Sequence, residues 1–347
     1  MKVVTRMGDG TLIEMSEAEL RQDLEDGTQD AAERGEIAAL SGDELAHLLD
    51  IFRSPYRFVS VAPGNEVVLS YDDPMIKIAR LGVISSRVQS LQMYEKMLGA
   101  DTIELGQFDY TYKALKNVMP FEKVELEQTL LLTTIPLLYG AMPNLGAYTQ
   151  PDGPFPNPVD LLPKGKIAEA RAALEGMVEA AIPDIVSVAT AMYQAGADGI
   201  NIDTTGAVGD ADFLASLRAA AIIRKKYPGV GIEIGMAGEF VLGMHGGLTY
   251  QGVRLAGLYP HQQVALAAKA GATIFGPAIN TNTKKSCAWN VARATTFVKA
   301  CVEKAEIPVH ANIGMGVGGI PCLDQPPLDA VSRASKAMVE ITRLDGL

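Results

Sequence analysis

Polar and ionisable side chains recur at the ends of the short apolar segments of this 347-residue sequence. Such apolar segments are typical of buried strands. If the strands are parallel, their carboxyl ends share one edge of the sheet, which is where barrel enzymes keep their active sites. Seven residues occupy these ends: Glu104, Tyr139, Asp203, Glu233, Asn280, His310 and Asn312.

This set predicts a polar pocket with a net negative charge. Crowded carboxylates raise one another's pKa, so one of them could donate a proton near neutral pH. Together they would also hold an alkylammonium ion by charge. Simpler interpretations stay open, because Asp203 could be a turn or N-cap residue, and Glu104 or Glu233 could pair with a lysine inside a barrel.

Two glycine-rich segments could contact a ligand or a partner protein. The run Gly314–Gly319, which contains Met315 and Gly316, matches G-x-G-x-x-G. Nearby prolines argue against the helix that a dinucleotide site requires, so a loop over the barrel mouth, or one admitting a flat cofactor carried by a partner, fits better. His245, in the other segment, is a candidate partner contact, whereas His261 suits a helix N-terminus. The histidine spacings do not indicate a metal site.

The segments alternate with amphipathic helices at roughly 35–45 residues per unit, which predicts a parallel sheet with helices outside it. Six strands are expected, within 100–106, 130–139, 199–203, 230–235, 272–276 and 307–312. The helices are expected at 84–97, 166–194 with an interruption near Pro183, 212–226, 262–270, 287–305 and 328–341.

An open doubly wound sheet and an eight-stranded barrel both fit this alternation, and a short repeat favours the barrel. Gly-Ala-Asp or Gly-Ala-Thr ends a helix and begins a strand at 99–101, 196–198 and 271–273. A related cue recurs at 344–347, which could be a frayed tail or the start of a seventh strand. We predict a TIM-type (β/α)8 barrel, truncated after about six strands.

Residues 1–95 have a different sequence pattern from residues 96–347, and residues 96–347 would form the incomplete barrel. Amphipathic helices are predicted for Ser16–Glu25, opened by a capping box, and for Gly42–Phe52. Segments 57–61 and 67–71 flank Pro63-Gly-Asn, which predicts a hairpin. This extension would act as a cap or as an oligomer-forming segment.

The composition narrows the class of protein. A formal net charge of −11 without basic runs argues against nucleic acid or an anionic membrane as a partner. The three cysteines lack C-x-x-C spacing, and neither a signal peptide nor an apolar run long enough to span a bilayer is found. A cytoplasmic protein is expected.

Several longer motifs resemble one family, the dimethylamine:corrinoid methyltransferases of methylamine-using archaea and some anaerobic bacteria. The resemblance covers essentially the whole chain. The motifs lie at 6–10, 140–144, 152–155, 203–206, 239, 241–246, 259–263, 280–283, 315–321 and 334–340.

The resemblance implies a barrel enzyme that moves one methyl group from dimethylamine to the Co(I) corrinoid of a cognate partner protein, releasing monomethylamine in methylamine catabolism. No cofactor is bound directly, since the corrinoid is carried by the partner. The family's reactive residue, pyrrolysine, is expected just after Leu347, where an amber codon would have been taken as a stop. The 347-residue chain would then be an inactive fragment of a homo-oligomeric enzyme.

From strand-end position we predict that Glu104, Asp203, Glu233 and His310 are catalytic. Tyr139, Asn280 and Asn312 would bind the substrate, and the loops at His245, Met315 and Gly316 would meet the corrinoid protein. Two alternatives remain: a relative without pyrrolysine that acts on a quaternary amine through an aromatic cage, and a non-catalytic fragment that docks the corrinoid protein.

Overall fold

The computed structural model describes residues 2–72, 99–105, 120–243, 245, 247–323 and 325–347. The chain divides into two compact units. The terminal unit comprises Met1–Val67, Tyr259–Ala265 and Gly276–Leu347, and the central unit comprises Val68–Leu258 and Leu266–Phe275. The predicted boundary at residue 95, like the predicted helix 84–97, lies outside the described residues.

Strands and helices occur in both units. The strands are β1 (Lys2–Arg6), β2 (Leu12–Ser16), β3 (Ser70–Asp72), β4 (Thr102–Leu105), β5 (Leu137–Ala141), β6 (Gly199–Thr205), β7 (Gly231–Met236), β8 (Thr249–Tyr250), β9 (Val253–Arg254) and β10 (Ile274–Gly276). The helices are α1 (Glu17–Gly35), α2 (Gly42–Arg53), α3 (Pro120–Leu132), α4 (Pro158–Leu161), α5 (Ile167–Gln194), α6 (Asp210–Lys226), α7 (Pro260–Lys269), α8 (Cys287–Lys304) and α9 (Leu328–Ala337), followed by a π-helical turn at Met338–Thr342. Within the described ranges, none of these helices has the length and apolarity to cross a membrane.

The central unit is built on a six-stranded sheet in the order β10-β7-β6-β5-β4-β3. The pairs from β3 to β7 are parallel, with Ile103 opposite Leu137 and Asn201 opposite Glu233. The prediction of an α/β fold with a parallel sheet is therefore confirmed, and closure into an eight-stranded barrel stays a prediction. The expected strand at 307–312 is reduced to a parallel bridge between His310 and Gly346.

The Gly-Ala-Asp repeat has a structural cause. Asp198 donates its backbone N–H to the carbonyl of Leu137 at 2.9 Å and accepts the Leu137 N–H on Oδ2 at 2.8 Å. We call this pair of hydrogen bonds a clamp. The same clamp joins three further pairs: Asp101 to Leu69, Thr273 to Ile232, and Asp345 to Val309. Each clamp joins the residue just before a parallel segment to a residue at or next to the start of the neighbouring segment, which sets the register of the pair.

Loss of one clamp should weaken the central sheet. We expect Asp198→Ala to lower the free energy of unfolding by about 1 kcal/mol, because the Leu137 N–H loses a charged acceptor. Asp198→Asn keeps an acceptor oxygen and should cost less. Urea denaturation of both variants measures the difference, and equal stabilities for Asp198→Ala and the parent would show that the clamp contributes nothing.

The predicted hairpin is wrong. Segment 67–71 contributes Ser70 and Tyr71 to β3, which runs parallel to β4. Segment 57–61 forms no strand, because its backbone groups form hydrogen bonds with side chains of α9, the helix that follows Pro327. The Val59 N–H donates to Ser332 Oγ at 3.2 Å, and the Ser60 carbonyl accepts from Lys336 Nζ at 2.6 Å.

The predicted interruption of the long helix at Pro183 is also wrong, since α5 continues from Ile167 to Gln194. A proline inside a helix costs about 3 kcal/mol. Pro183 faces solvent, while its neighbours Ile182, Ile185 and Val188 are buried. Burying such a side chain stabilises by roughly 1.5–3 kcal/mol, so a few of these contacts outweigh the cost of the proline.

In the terminal unit, α1 packs closely against α8. Thr28 and Thr296 share a buried hydrogen bond of 2.8 Å, and Arg293 Nε donates to Asp30 Oδ2 at 2.7 Å. Gly27 faces the carbonyl oxygen of Trp289, which a Cβ atom on Gly27 would approach to 2.3 Å. Both N-terminal helices were predicted, and the capping box of α1 at Ser16 is confirmed.

Glu340 holds the segment around Ala62 in the same unit. Its carboxylate accepts the Ala62 N–H at 2.8 Å and bonds to His47 Nε2 at 2.7 Å and Lys336 Nζ at 3.1 Å. Burial acts to raise the pKa of this carboxyl, but these partners outweigh burial and hold the pKa below its ordinary value of 4.5.

Stability should therefore depend on pH through Glu340. The folded state binds fewer protons here than the unfolded state, so the contribution is present above about pH 4.5 and is lost as the pH falls through the lower folded pKa. We expect Glu340→Gln to flatten the acid limb of the unfolding free energy, measured in urea from about pH 3 to pH 7. Glu14→Gln, at an exposed position, is the control, and an unchanged limb in Glu340→Gln would contradict the assignment.

Candidate functional site

A buried carboxylate and a buried amide meet on one face of the central sheet. Asn201 Nδ2 donates to Glu104 Oε2 at 2.7 Å, and the two residues are only 5% and 7% exposed. Gly140, opposite Asn201 in the register of β5 and β6, makes this contact possible. A Cβ atom on Gly140 would lie 1.4 Å from Glu104 Oε1, so the carboxylate occupies the space that glycine leaves.

Asp203 and Glu233 extend this acidic face. Glu233 lies directly opposite Asn201 in the pairing of β6 with β7. Asp203 follows two residues after Asn201, and its Oδ1 accepts the Thr204 N–H at 2.6 Å. A Cβ atom on Gly235 would lie 3.0 Å from Asp203 Oδ1 and 3.4 Å from Asn201 Oδ1. The three predicted carboxylates thus belong to one face of neighbouring strands, half-buried or buried.

The turn after Asp203 is strained. Thr204 has a φ of 55°, which is unusual for a β-branched residue, and the register of β6 with β7 shifts between Ile202 and Thr205. Side chains of α6 hold the turn, since Asp212 Oδ2 accepts the Gly206 N–H at 3.1 Å and Ser216 bonds to Thr205 Oγ1 at 3.2 Å. Strain of this kind persists where the surroundings fix a side chain for function.

Tyr139 faces away from this group. It alternates with Gly140 on β5, is fully buried, and donates its hydroxyl to Glu122 Oε1 of α3 at 2.5 Å. The sheet therefore places this aromatic ring among the helices, on the opposite face from Glu104.

The terminal unit contains five of the other predicted residues: Asn280, His310, Asn312, Met315 and Gly316. His310 is half-buried in the parallel bridge to Gly346, and Asn312 is exposed. Asn280 pairs with Val317, next to the Thr281 N–H that donates to the Gly316 carbonyl at 2.8 Å. These contacts bring Asn280 together with the glycine-rich turn.

The glycine-rich segment 314–319 is a tight turn in which Gly314 pairs with Val317. Met315 lies at its tip with a φ of 45° and is 61% exposed. The helix that follows begins only at Leu328, which agrees with a loop rather than a dinucleotide site.

His245 occupies an exposed loop of the central unit. Its φ is 59°, and its carbonyl accepts from Arg171 Nη2 at 2.5 Å. Leu242, three residues earlier, is an exposed apolar side chain. This loop can therefore offer both an imidazole and an apolar contact to another molecule.

Sequence reasoning missed Asn201 and Gly140 as parts of the site. Asn201 interrupts the apolar pattern between Ile200 and Ile202, both of which are fully buried. A buried amide in a strand needs partners on the same face, and this was the available signal. Gly140 gave no comparable signal. Across the residues that the structure describes, no group of three His, Cys, Asp or Glu side chains could hold a metal ion.

The parallel sheet and the carboxylates on one of its faces describe an α/β protein with an acidic candidate site. The profile of the family described as "Dimethylamine methyltransferase (Dimeth_PyL)" matches residues 1–347. The chain belongs to the dimethylamine methyltransferase family.

Two solved structures are distantly similar. A proposed deoxyribose-phosphate aldolase from Coccidioides immitis is 9% identical with a TM-score of 0.37, over 95% of this chain and 97% of that chain. The spore cortex-lytic enzyme SleL of Bacillus megaterium QM B1551 has the same identity and TM-score, over 81% of this chain and 57% of its own. Neither likeness carries an argument about function.

Proposed function

We propose that the face formed by Glu104, Asn201, Asp203 and Glu233 binds dimethylammonium. The reaction served by this site transfers one methyl group to the Co(I) corrinoid of a partner protein. The single observation that supports this site is the buried Glu104–Asn201 contact beside two further carboxylates. Carboxylates favour a cation by charge, and their oxygens accept the N–H groups that dimethylammonium carries.

The residues of this chain would bind and orient the amine. In the overall transfer the C–N bond breaks, the methyl group goes to cobalt, both electrons of the new bond come from Co(I), and the former bonding pair stays on nitrogen as monomethylamine. Pyrrolysine is not among the 347 residues, so the proposal concerns amine binding. Glu104, Asp203 and Glu233 would balance the charge on nitrogen while the methyl group is presented.

Residues of the terminal unit have further proposed roles. From the sequence, His310 is proposed as a catalytic residue and Asn280 and Asn312 as substrate-binding residues. Met315 and Gly316 are proposed as contacts of the corrinoid protein, and so, separately, is His245. The exposure of Met315 and of Leu242 near His245 supports partner contacts, because a partner that covers these apolar side chains removes them from water.

Removing the charge of Glu104 tests the site. We expect Glu104→Gln to bind dimethylammonium chloride at least about tenfold more weakly in isothermal titration calorimetry, because a charge-assisted contact in a buried site is lost. Glu179→Gln is the matched control, since Glu179 is an exposed glutamate paired with Arg218. Equal affinity of Glu104→Gln and the parent protein would refute amine binding at this face.

A further inference from the structure

We propose that Asn201 determines which methylated amine the site accepts, by offering its Oδ1 to an N–H group of the bound ion. This inference rests on the proposed function and deepens it. Dimethylammonium carries two N–H groups, trimethylammonium one and tetramethylammonium none. A site with two acceptors for N–H groups would therefore favour dimethylammonium over the tertiary and quaternary ions by hydrogen bonding as well as by size.

The orientation of the Asn201 amide follows from its partner. An ionised carboxylate only accepts hydrogen bonds, so the contact of 2.7 Å with Glu104 requires the amide nitrogen to face that oxygen. The carbonyl oxygen Oδ1 must then point the other way. It is buried and has no hydrogen-bond partner among the described residues. A buried acceptor without a donor is costly, and a ligand that brings an N–H removes that cost.

Gly235 leaves room for such a donor. The nearest atoms to a Cβ placed on Gly235 are Asp203 Oδ1 at 3.0 Å and Asn201 Oδ1 at 3.4 Å. Two oxygen acceptors from different residues thus border the same small space beside β7. Two acceptors match the two N–H groups of dimethylammonium, whereas each added methyl group replaces one hydrogen bond with an apolar contact.

The geometry also separates the role of Glu104 from that of Asn201. Glu104 supplies charge, which attracts every alkylammonium ion regardless of its methyl count. Asn201 is neutral, so its contribution depends on the presence of an N–H on the ligand. The ratio of affinities for dimethylammonium and tetramethylammonium therefore reports on Asn201, while the absolute affinities report on Glu104.

The experiment measures dissociation constants of dimethylammonium, trimethylammonium and tetramethylammonium by calorimetry for the parent chain and for Asn201→Leu, which has a similar shape. We expect Asn201→Leu to weaken dimethylammonium by about tenfold or more and tetramethylammonium by less than about twofold. Equal weakening of dimethylammonium and tetramethylammonium binding, which leaves the ratio of their affinities unchanged, would indicate a merely structural role for Asn201. That result would overturn the proposal.

Gly235→Ala provides a second variant in case Asn201→Leu does not fold, as judged by circular dichroism. Its methyl group fills the space beside the two oxygens without changing their chemistry, and dimethylammonium affinity should fall by about tenfold. An unchanged affinity in a folded Gly235→Ala would overturn the inference.

Glu104→Gln distinguishes the two proposals. If it weakens all three ions while Asn201→Leu preserves their ratio, only the role of Asn201 is lost. If the parent chain binds none of the ions, both proposals are overturned.

Discussion

Replacing Gly140 with alanine is expected to weaken dimethylammonium binding by tenfold or more, on the order of the loss of a charged hydrogen bond. The added Cβ would lie 1.4 Å from Glu104 Oε1 and 2.4 Å from Glu104 Cδ. The carboxylate must therefore leave its present position, and the bond from Asn201 Nδ2 breaks with it. Calorimetric titration of dimethylammonium chloride into the purified variant measures the effect.

Gly231→Ala is the matched control for this prediction. Gly231 lies on the same sheet, and the nearest atom to a Cβ placed there is 3.5 Å away, an ordinary contact. We expect this variant to bind the amine as the parent does. Parent-like affinity in Gly140→Ala would show that Glu104 is not needed where the structure places it.

The largest loss of stability is expected for Gly27→Ala. Its methyl group would meet the Trp289 carbonyl oxygen at 2.3 Å and the carbonyl carbon at 3.0 Å, both of which are backbone atoms of α8. Relief requires α1 and α8 to move apart, which costs about 1–3 kcal/mol for an overpacked core, and more where backbone is displaced. Alanine gains up to about 1 kcal/mol in helix propensity, so we expect a net loss of about 2 kcal/mol.

Urea denaturation with an unchanged m-value would show this loss as a lower midpoint. Gly42→Ala is the control, because Gly42 lies in α2 with no atom within 4 Å of the added methyl group. That variant should be neutral or slightly more stable. If Gly27→Ala matched Gly42→Ala, the close approach of α1 to α8 would be refuted.

The strands of the central sheet could be predicted because their apolar runs and the Gly-Ala-Asp repeat are local signals. The structure adds the reason for the repeat, which is the clamp between Asp198 and Leu137 and its three counterparts. The hairpin failed because segment 57–61 is bound by side chains nearly 280 residues away, such as Lys336 on Ser60. No local pattern encodes such a contact.

The candidate site was predictable only in part, for a similar reason. Glu104 and Asp203 lie near the carboxyl ends of β4 and β6, and parallel strands bring such ends together. Glu233 lies inside β7 instead, opposite Asn201. The face of the sheet that each side chain occupies depends on the register of its strand. Tyr139 lies on the face covered by helices, where it contacts Glu122. Asn201 belongs to the site because it binds the Glu104 carboxylate, and Gly140 on the neighbouring strand leaves room for that carboxylate.

The terminal unit has a consequence for synthesis on the ribosome. Its first part, Met1–Val67, packs with Gly276–Leu347, and about 200 residues separate the two parts. About 250 residues separate the end of α1 from the start of α8, so at 5–20 residues per second α1 waits roughly 13–50 s for α8 to be made. Until then Leu20, Leu24 and Leu48, which are fully buried in the finished protein, have no such partner. The nascent chain therefore presents an apolar helix surface that chaperones can bind while the central unit is still being made.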